Sequence, residues 1–429
     1  VSSPPSALRA LRHRNFRLFV IGQLISLIGT WMQQVAESWL MYRLTGSAML
    51  LGAIGFAGLF PVLVLGPYAG HIADKYDRRR ILIITQIAAM VLAFILAALT
   101  LTHLIHEWHL FVLATCLGIV NSFDMPARQA FIVQVVSRED LVNAIALNST
   151  MFNGARIVGP AIAGLTVAAV GEGWCFFSNG VSYIAVVACL LIMKAERAAT
   201  PTSGSAIENI IEGFRYVGTT APVRALLILI AVISFTGMPY AVLMPIFADR
   251  ILHAGPSGMG ILMGAAGAGA LLSSVVMAMR KTVKGLGRWV MLASMIFGFS
   301  LIGFSFSRSF PLSVILLVPL GGAMMMQMAS SNTLIQSMVP DELRGRVMAV
   351  YSMMFLGVAP FGSLLAGSVS NRVGAPITLA AGGAICIIAS LVFSVRLPQL
   401  RGEARALILA QRAVAGEPAA ETTPTGAET

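Results

Sequence analysis

The sequence predicts an all-α membrane protein of 12 transmembrane helices arranged as two parallel six-helix repeats. Three observations carry that reading. Apolar runs of about 20 residues, the length that crosses a ~30 Å hydrocarbon core, recur from one end of the 429-residue chain to the other. Only 11% of the residues are charged, against roughly 25% in a soluble domain, so the polar surface that water demands is missing. The alternating ~10-residue segments of a membrane β-barrel do not occur. Finally, VSREDLVNAIALNSTMFNGARIVGPAIAG (136–164) aligns without gaps on VPDELRGRVMAVYSMMFLGVAPFGSLLAG (339–367), an offset of 203 residues.

The spans are expected to begin near residues 16, 49, 80, 109, 143 and 174, then near 223, 257, 287, 311, 346 and 374. The first follows Arg9, Arg12, Arg14 and Arg17 and runs on to about Met41. It is too long for a signal-peptide core and lacks a cleavage site, so it is read as a retained anchor. Short turns such as RLTGSA, GEG and NRVGAP make sequential helices antiparallel neighbours. The repeat carries helix 5 onto helix 11. An offset of six spans preserves orientation, so the halves are related by an axis along the membrane normal, with a substrate site expected where they meet. The divisions that follow are a cytoplasmic segment 1–15, a first half 16–195, a linker 196–222, a second half 223–396 and a cytoplasmic tail 397–429. Within the linker, Ile207, Ile210, Ile211, Phe214 and Val217 recur at helical spacing, which predicts a helix on the membrane surface. The last 14 residues, GEPAAETTPTGAET, have the composition of disorder.

The net charge of +11 does not mark a nucleic-acid-binding module, because the basic residues fall between spans, where they set orientation. With the N-terminus inside, all 29 Lys and Arg residues except Arg43, Arg250, Arg308, Arg372 and the mid-span Arg156 lie on the inner side. Both termini are therefore expected in the cytoplasm, most simply across a bacterial inner membrane. The four cysteines lie in or at the ends of apolar runs and form no zinc or disulfide pattern. The histidine-rich HLIHEWH (103–109) lacks the HExxH spacing of a zinc site and reads as an outer loop. No Walker A stretch offers direct ATP drive, and no cofactor or metal is expected.

Residues 70–80, GHIADKYDRRR, press charge between two apolar runs. With the repeat, they carry a resemblance to the major facilitator superfamily over nearly the whole chain. Its loop between helices 2 and 3 has Gly-x-x-x-Asp-(Arg/Lys)-x-Gly-(Arg/Lys)-(Arg/Lys); here Gly70, Asp74, Lys75, Arg78 and Arg79 match, Arg80 follows, and Asp77 stands in place of Gly. The resemblance implies a cytoplasmic gate. Asp74 meets the positive N-terminal end of helix 11 near Arg346, and the arginines hold carboxylates when the gate is shut. A bland reading, in which the arginines serve only orientation, stays beside it. The second-half counterpart MRKTVKGLGR has lost the Asp. TWMQQVAESWLMYRLTGSA, FDMPARQAF and NGARIVGPAIAG further resemble the enterobactin-exporter and macrolide-efflux group. The last of these is similar to the helix 5 antiporter motif, with Gly154, Gly159, Pro160 and Gly164 in place and Ala155 and Ala163 where Gly is usual. The resemblance implies export.

Polar groups inside the spans are the remaining candidates. Gln23, Thr30, Gln34 and Glu37 form one stripe of helix 1, which is costly against lipid and suits either a watery cavity or an interhelical hydrogen-bond seam. Asn121, Asp124 and Arg128 share a face of helix 4, and Asp124 and Arg128 could neutralise each other. Arg156 sits mid-span in helix 5 and needs an anion; Asp124 is the first expected partner and Glu37 the second. Asp124, Glu37, Arg156 and Arg128 are the proton-coupling candidates. In the second half Tyr240, Gln327 and Ser331 are the cavity candidates, and Met324, Met325, Met326, Met328, Met353 and Met354 offer surface that repacks around varied shapes. The expected protein is a monomeric exporter, not an enzyme. It moves a small amphiphile (drug, siderophore or other metabolite) out of the cytoplasm by alternating access and proton antiport, with protons, the substrate and the lipid bilayer as its partners. The alternative is an uncoupled facilitator or flippase of lysophospholipid.

Overall fold

A computed structural model of the chain describes residues 6–193, 206–280 and 282–414. The polar start of the linker (194–205) and the tail from 415 lie outside the described residues. Twelve helices are long and apolar enough to cross a membrane. In the first half these are α1 (Arg14–Thr45), α2 (Ala48–Lys75), α3 (Arg78–Leu101), α4 (Glu107–Val135), α5 (Leu141–Val170) and α6 (Glu172–Ile192). The linker helix α7 spans Ala206–Thr219. Then follow α8 (Ala221–Ile251), α9 (Gly255–Ala278), α10 (Leu286–Phe306), α11 (Phe310–Met338), α12 (Asp341–Val373) and α13 (Ala375–Val414). The starts lie within a few residues of those expected, α12 showing the largest difference because its polar first turn DELRG is already helical.

Turn chemistry sets the helix ends. Gly46, at φ 61°, closes α1 by donating its N–H to the Tyr42 carbonyl, and the Ser47 hydroxyl then accepts from Leu50 N–H to start α2. Asp77, the residue that replaces Gly in the charged seam, caps α3 by accepting from the N–H groups of Arg79 and Arg80. The histidine-rich loop works as a cap too: His109 Nδ1 accepts from His106 N–H at 3.0 Å and its ring stacks on Trp108.

The internal repeat is visible in the backbone. Gly171 between α5 and α6 and Gly374 between α12 and α13, 203 residues apart, both turn the chain at φ near 90°. Within the first half α1 packs on α5 and α6, α2 on α4, and α3 on α4 and α6; within the second, α10 packs on α11 and α13, and α9 on α11. The halves meet along two related seams, α2 against α12 and α5 against α9. Helices α8 and α12 each contain π-helical turns, at Ile233–Gly237 and Phe247–Ile251 in α8 and at Met353–Gly357 in α12. The Ser234 hydroxyl in the first donates to the Phe355 carbonyl in the last, so the two irregular turns are joined.

On the face that bears the first and last described residues, 6 and 414, the N-terminal segment is clasped to the start of α5. Arg9, Arg12 and His13 converge on the buried Asp140 carboxylate, at 2.9, 2.9 and 2.8 Å, and Asn143 Oδ1 accepts from Ala10 N–H at 2.8 Å. The hydrogen bond from His13, then Arg12 and Arg9, hold the Asp140 carboxyl below the usual carboxylate range. A carboxyl lowered in the folded state contributes stability above its unfolded value, about 3.9, and loses it as pH falls through the lowered value. Asp140→Asn is therefore expected to lower the Tm at neutral pH and to flatten the acid side of the Tm–pH curve. Glu139→Gln, at an exposed carboxylate, is expected to change neither.

Candidate functional site

The site begins with how the halves touch. At the end opposite the termini they meet backbone to backbone. A Cβ on Gly52 of α2 would lie 2.4 Å from the Ser363 carbonyl and 3.0 Å from Gly367 Cα, and a Cβ on Gly164 of α5 would lie 2.7 Å from the Pro256 carbonyl and 3.0 Å from Gly260 Cα. Only small residues permit this approach. A polar clasp reinforces it: the Tyr42 hydroxyl donates to Asp249 at 3.0 Å, and Arg250 lies over the Tyr42 ring and donates to the Gly46 carbonyl at 3.3 Å. Nothing in the spacing of α1 pointed to Tyr42 as a cross-half contact, although a charged pair at the end of a span was the available signal.

At the termini-bearing end a cavity of about 610 Å³ separates the halves. One wall is α2 and α4, with Gly70, His71, Asp74, Ser122 and Gln129; the other is the first half of α12, with Glu342, Arg346 and Met353, and Ile210 of α7 closes one side. The two ends of the expected gate, Asp74 and Arg346, thus line one cavity. Arg346 pairs with Glu212 of α7, and a Cβ on Gly213 would lie 2.7 Å from the Arg346 carbonyl, so the linker helix sits on the start of α12. Ile211 and Phe214 of α7 are exposed, while Val217 is buried; the Ile207 side chain lies outside the described residues.

The arginines of the seam are engaged inside the first half. Arg78 lies 3.7 Å from Asp74 and donates to the carbonyls of Ala73 and Ala130. Arg79 donates to the carbonyls of Leu190 and Leu191 at 2.6 and 2.8 Å, capping the C-terminal end of α6. Arg80 is 3.7 Å from Asp77, and Lys75 lies over the Tyr76 ring. The bonds to the carbonyls of Ala130, Leu190 and Leu191 were not legible in the sequence, because they depend on α4 and α6 lying beside α3.

The expected pair of Asp124 with Arg156 is corrected by the structure. Asp124 is buried and bound by Arg128 one turn along its own helix, by the Thr85 hydroxyl at 2.9 Å and by Gln86 Nε2 at 2.8 Å. A partner at i,i+4 needs no second helix to bring it close, and Thr85–Gln86 of α3 fills the remaining acceptor sites. Arg156 instead lies over the Trp31 ring, 5.6 Å from its centre, and has no carboxylate partner among the described residues. Removing one member of a buried ion pair costs about 3–5 kcal/mol by leaving the other charge unpaired. Asp124→Asn is thus expected to lower the yield of folded protein and its Tm, and Asp124→Asn with Arg128→Gln to recover most of both, as thermal unfolding of purified protein would show.

The stripe on α1 divides. Gln23 is buried, Thr30 and Gln34 are exposed, and Glu37 is half-buried with neither hydrogen bond nor ion pair among the described residues. The buried amide contact of α1 is made by Gln33, which accepts from Asn179 of α6 at 2.7 Å. In the second half Tyr240, Gln327 and Ser331 are packed between helices rather than on the cavity wall, with Gln327 donating to Ser331 at 3.4 Å. In the helix 5 motif Gly159 receives the Trp31 side chain and the Ile28 carbonyl, the Pro160 carbonyl faces Gly260, and Gly154 meets nothing.

Comparison with known proteins agrees with this architecture. A family model described as transmembrane secretion effector matches residues 5–421. The staphyloferrin A transporter of Staphylococcus aureus is 26% identical over 378 residues, 88% of this chain and 95% of that protein. The multidrug efflux pump Tap of Mycolicibacterium fortuitum is 27% identical over 395 residues, 90% and 96% of the two chains. Among solved structures, a POT family transporter in complex with a thioalcohol-conjugated peptide superimposes with a TM-score of 0.75 at 11% identity, covering 90% of this chain and 96% of that one. That last likeness is one of fold.

Proposed function

This chain belongs to the transmembrane secretion effector family of major facilitator transporters, and on that premise we propose that it exports a small amphiphile from the cytoplasm by alternating access coupled to proton antiport. It is an integral membrane protein; the reading places it in a bacterial inner membrane with both termini in the cytoplasm, because the basic residues gather on the face that bears them.

The observation that carries the proposal is the asymmetry between the two ends. One is closed by glycine-on-glycine seams, and the other opens on a cavity of about 610 Å³ between the halves. That asymmetry supports reading the structure as an inward-facing state, in which reciprocal rocking of two rigid halves would expose the other side. Glu37 is the proposed proton carrier. An ionised carboxylate in a membrane span is costly without a donor or a cation, and Glu37 has neither among the described residues. Asp124, held by three donors, positions α3 against α4. Arg156 stays charged and has no acid partner among the described residues, so it serves an anionic group of the substrate, with Trp31 stacking beside it.

The test uses everted vesicles energised acid inside, with a pH-sensitive dye and a panel of anionic and cationic amphiphiles and lysolipids. Proton efflux triggered by an anionic amphiphile is the expected result. Lysolipid crossing with no proton movement from any compound would overturn antiport in favour of a facilitator, and a response to cationic compounds alone would overturn the role given to Arg156.

A further inference from the structure

A second cavity, of about 530 Å³, lies wholly within the second half on the termini-bearing face. Its rim carries four cations, Lys284 and Arg288 at the start of α10 and Arg401 and Arg405 on α13, and its floor is apolar, with Phe393 and Leu397 of α13 among its residues. None of the four has an ion pair or a side-chain hydrogen bond among the described residues. The neighbouring acid, Glu403, is exposed and does not line the cavity; two residues from Arg401 and from Arg405, it faces the opposite side of the helix.

The first half explains why these charges are unpartnered. There α6 stops at Ile192, and Arg79 at the start of α3 binds its last carbonyls. The corresponding α13 does not stop; it continues as a helix to Val414. Its carbonyls at that level are occupied by the continuing helix, so the cations at the start of α10 lose the partner that Arg79 has. The extension adds Arg401 and Arg405, one turn apart on one face. Along α13, at 1.5 Å per residue, Arg401 lies about 39 Å from Ala375, beyond the far edge of a ~30 Å core, while Phe393 and Leu397 lie near that edge.

We propose that this cavity binds an anionic phospholipid, with its phosphate among Lys284, Arg288, Arg401 and Arg405 and the upper part of its chains on the apolar floor. Charge complementarity selects an anion, and unpaired basic pockets at the cytoplasmic membrane interface suit acidic head groups. The floor selects a lipid over the chain's own tail. That tail carries glutamates but, from residue 415 on, no apolar side chain larger than proline. All the lining comes from one half, so the site keeps its shape while the halves rock, unlike the cavity between them.

The probe is phosphatidylglycerol, with phosphatidylcholine and free glycerol phosphate for comparison, read by native mass spectrometry and by Tm in detergent. Wild type is expected to retain phosphatidylglycerol at least fivefold more than phosphatidylcholine and to gain Tm with it alone. Arg401→Gln with Arg405→Gln is expected to lose both effects while keeping the wild-type Tm in phosphatidylcholine, and Lys284→Gln with Arg288→Gln repeats the test from the other rim. Equal retention of the two lipids, undiminished retention in both double variants, or the same Tm gain from glycerol phosphate would each overturn the proposal. So would a gain in phosphatidylglycerol binding seen only after deletion of residues 415–429, which would assign the cavity to the tail.

Discussion

Vesicles carrying Glu37→Gln are expected to lose substrate-driven proton movement by a factor of ten or more, while exchange of labelled for unlabelled substrate stays within about threefold of wild type. Exchange needs only the rocking of loaded halves, whereas net antiport requires a group that binds a proton in one access state and releases it in the other. A glutamine keeps the size and polarity of Glu37 but cannot carry the proton. It also removes a carboxylate that has no partner among the described residues, so the variant is expected to fold at least as well as wild type. This separates the result from that of Asp124→Asn, where folding itself suffers. Undiminished proton coupling in Glu37→Gln, with loss of coupling in a stably folded Asp124→Asn protein, would transfer the role to Asp124.

Gly52→Val is expected to reduce transport at least tenfold without lowering the amount of protein in the membrane. The first side-chain carbon alone would lie 2.4 Å from the Ser363 carbonyl and 3.0 Å from Gly367 Cα, and neither is a flexible group that can swing aside. The clash exists only while that face is shut. It therefore raises the free energy of one access state, and each 1.4 kcal/mol of such a difference shifts the populations about tenfold. A cysteine placed at Ala48, which is buried beside Gly367 here, is expected to react at least fivefold faster with a membrane-impermeant thiol reagent in the Gly52→Val background. Gly154→Ala, whose new carbon meets nothing within 4 Å, supplies the control and is expected to transport normally. Unchanged transport in Gly52→Val would mean that the seam does not need to close.

What the sequence made legible follows its periodicities. The spans, the offset that pairs α5 with α12 and the amphipathic α7 all depend on local composition or on comparing the chain with itself, whereas Gly52 and Gly260 of the half-to-half seams stand out only once the helices are packed. Contacts that depend on which helices become neighbours were less accessible. Sequence alone pairs Arg156 with Asp124 because both are rare charges within spans. The actual partners of Asp124 include Thr85 and Gln86 of α3, two uncharged side chains that nothing in a single sequence distinguishes from other polar residues in a helix. The π turns escaped for a related reason. Ile233–Gly237 and Met353–Gly357 differ from α-helix by one residue per turn, and packing of the two turns against each other, through Ser234 and Phe355, decides that rather than propensity. Asp77 is the instructive case within the charged seam: read against a pattern it is a departure, and in the structure it caps α3.

The clasp at Asp140 has a consequence for how the protein is made. Arg12 and Asp140 are separated by 128 positions in the chain. At roughly 5–20 residues per second of synthesis, the ribosome needs on the order of 6–25 seconds to deliver the carboxylate after the arginine has emerged. Throughout that interval, while α1 to α4 are being made, Arg9 and Arg12 lack the carboxylate that later holds them. When α5 begins, Arg9, Arg12 and His13 fold against the Asp140 carboxylate at its start. The segment ahead of α1 is thus fastened to its half only after the start of α5 has been made, and the order is set by translation.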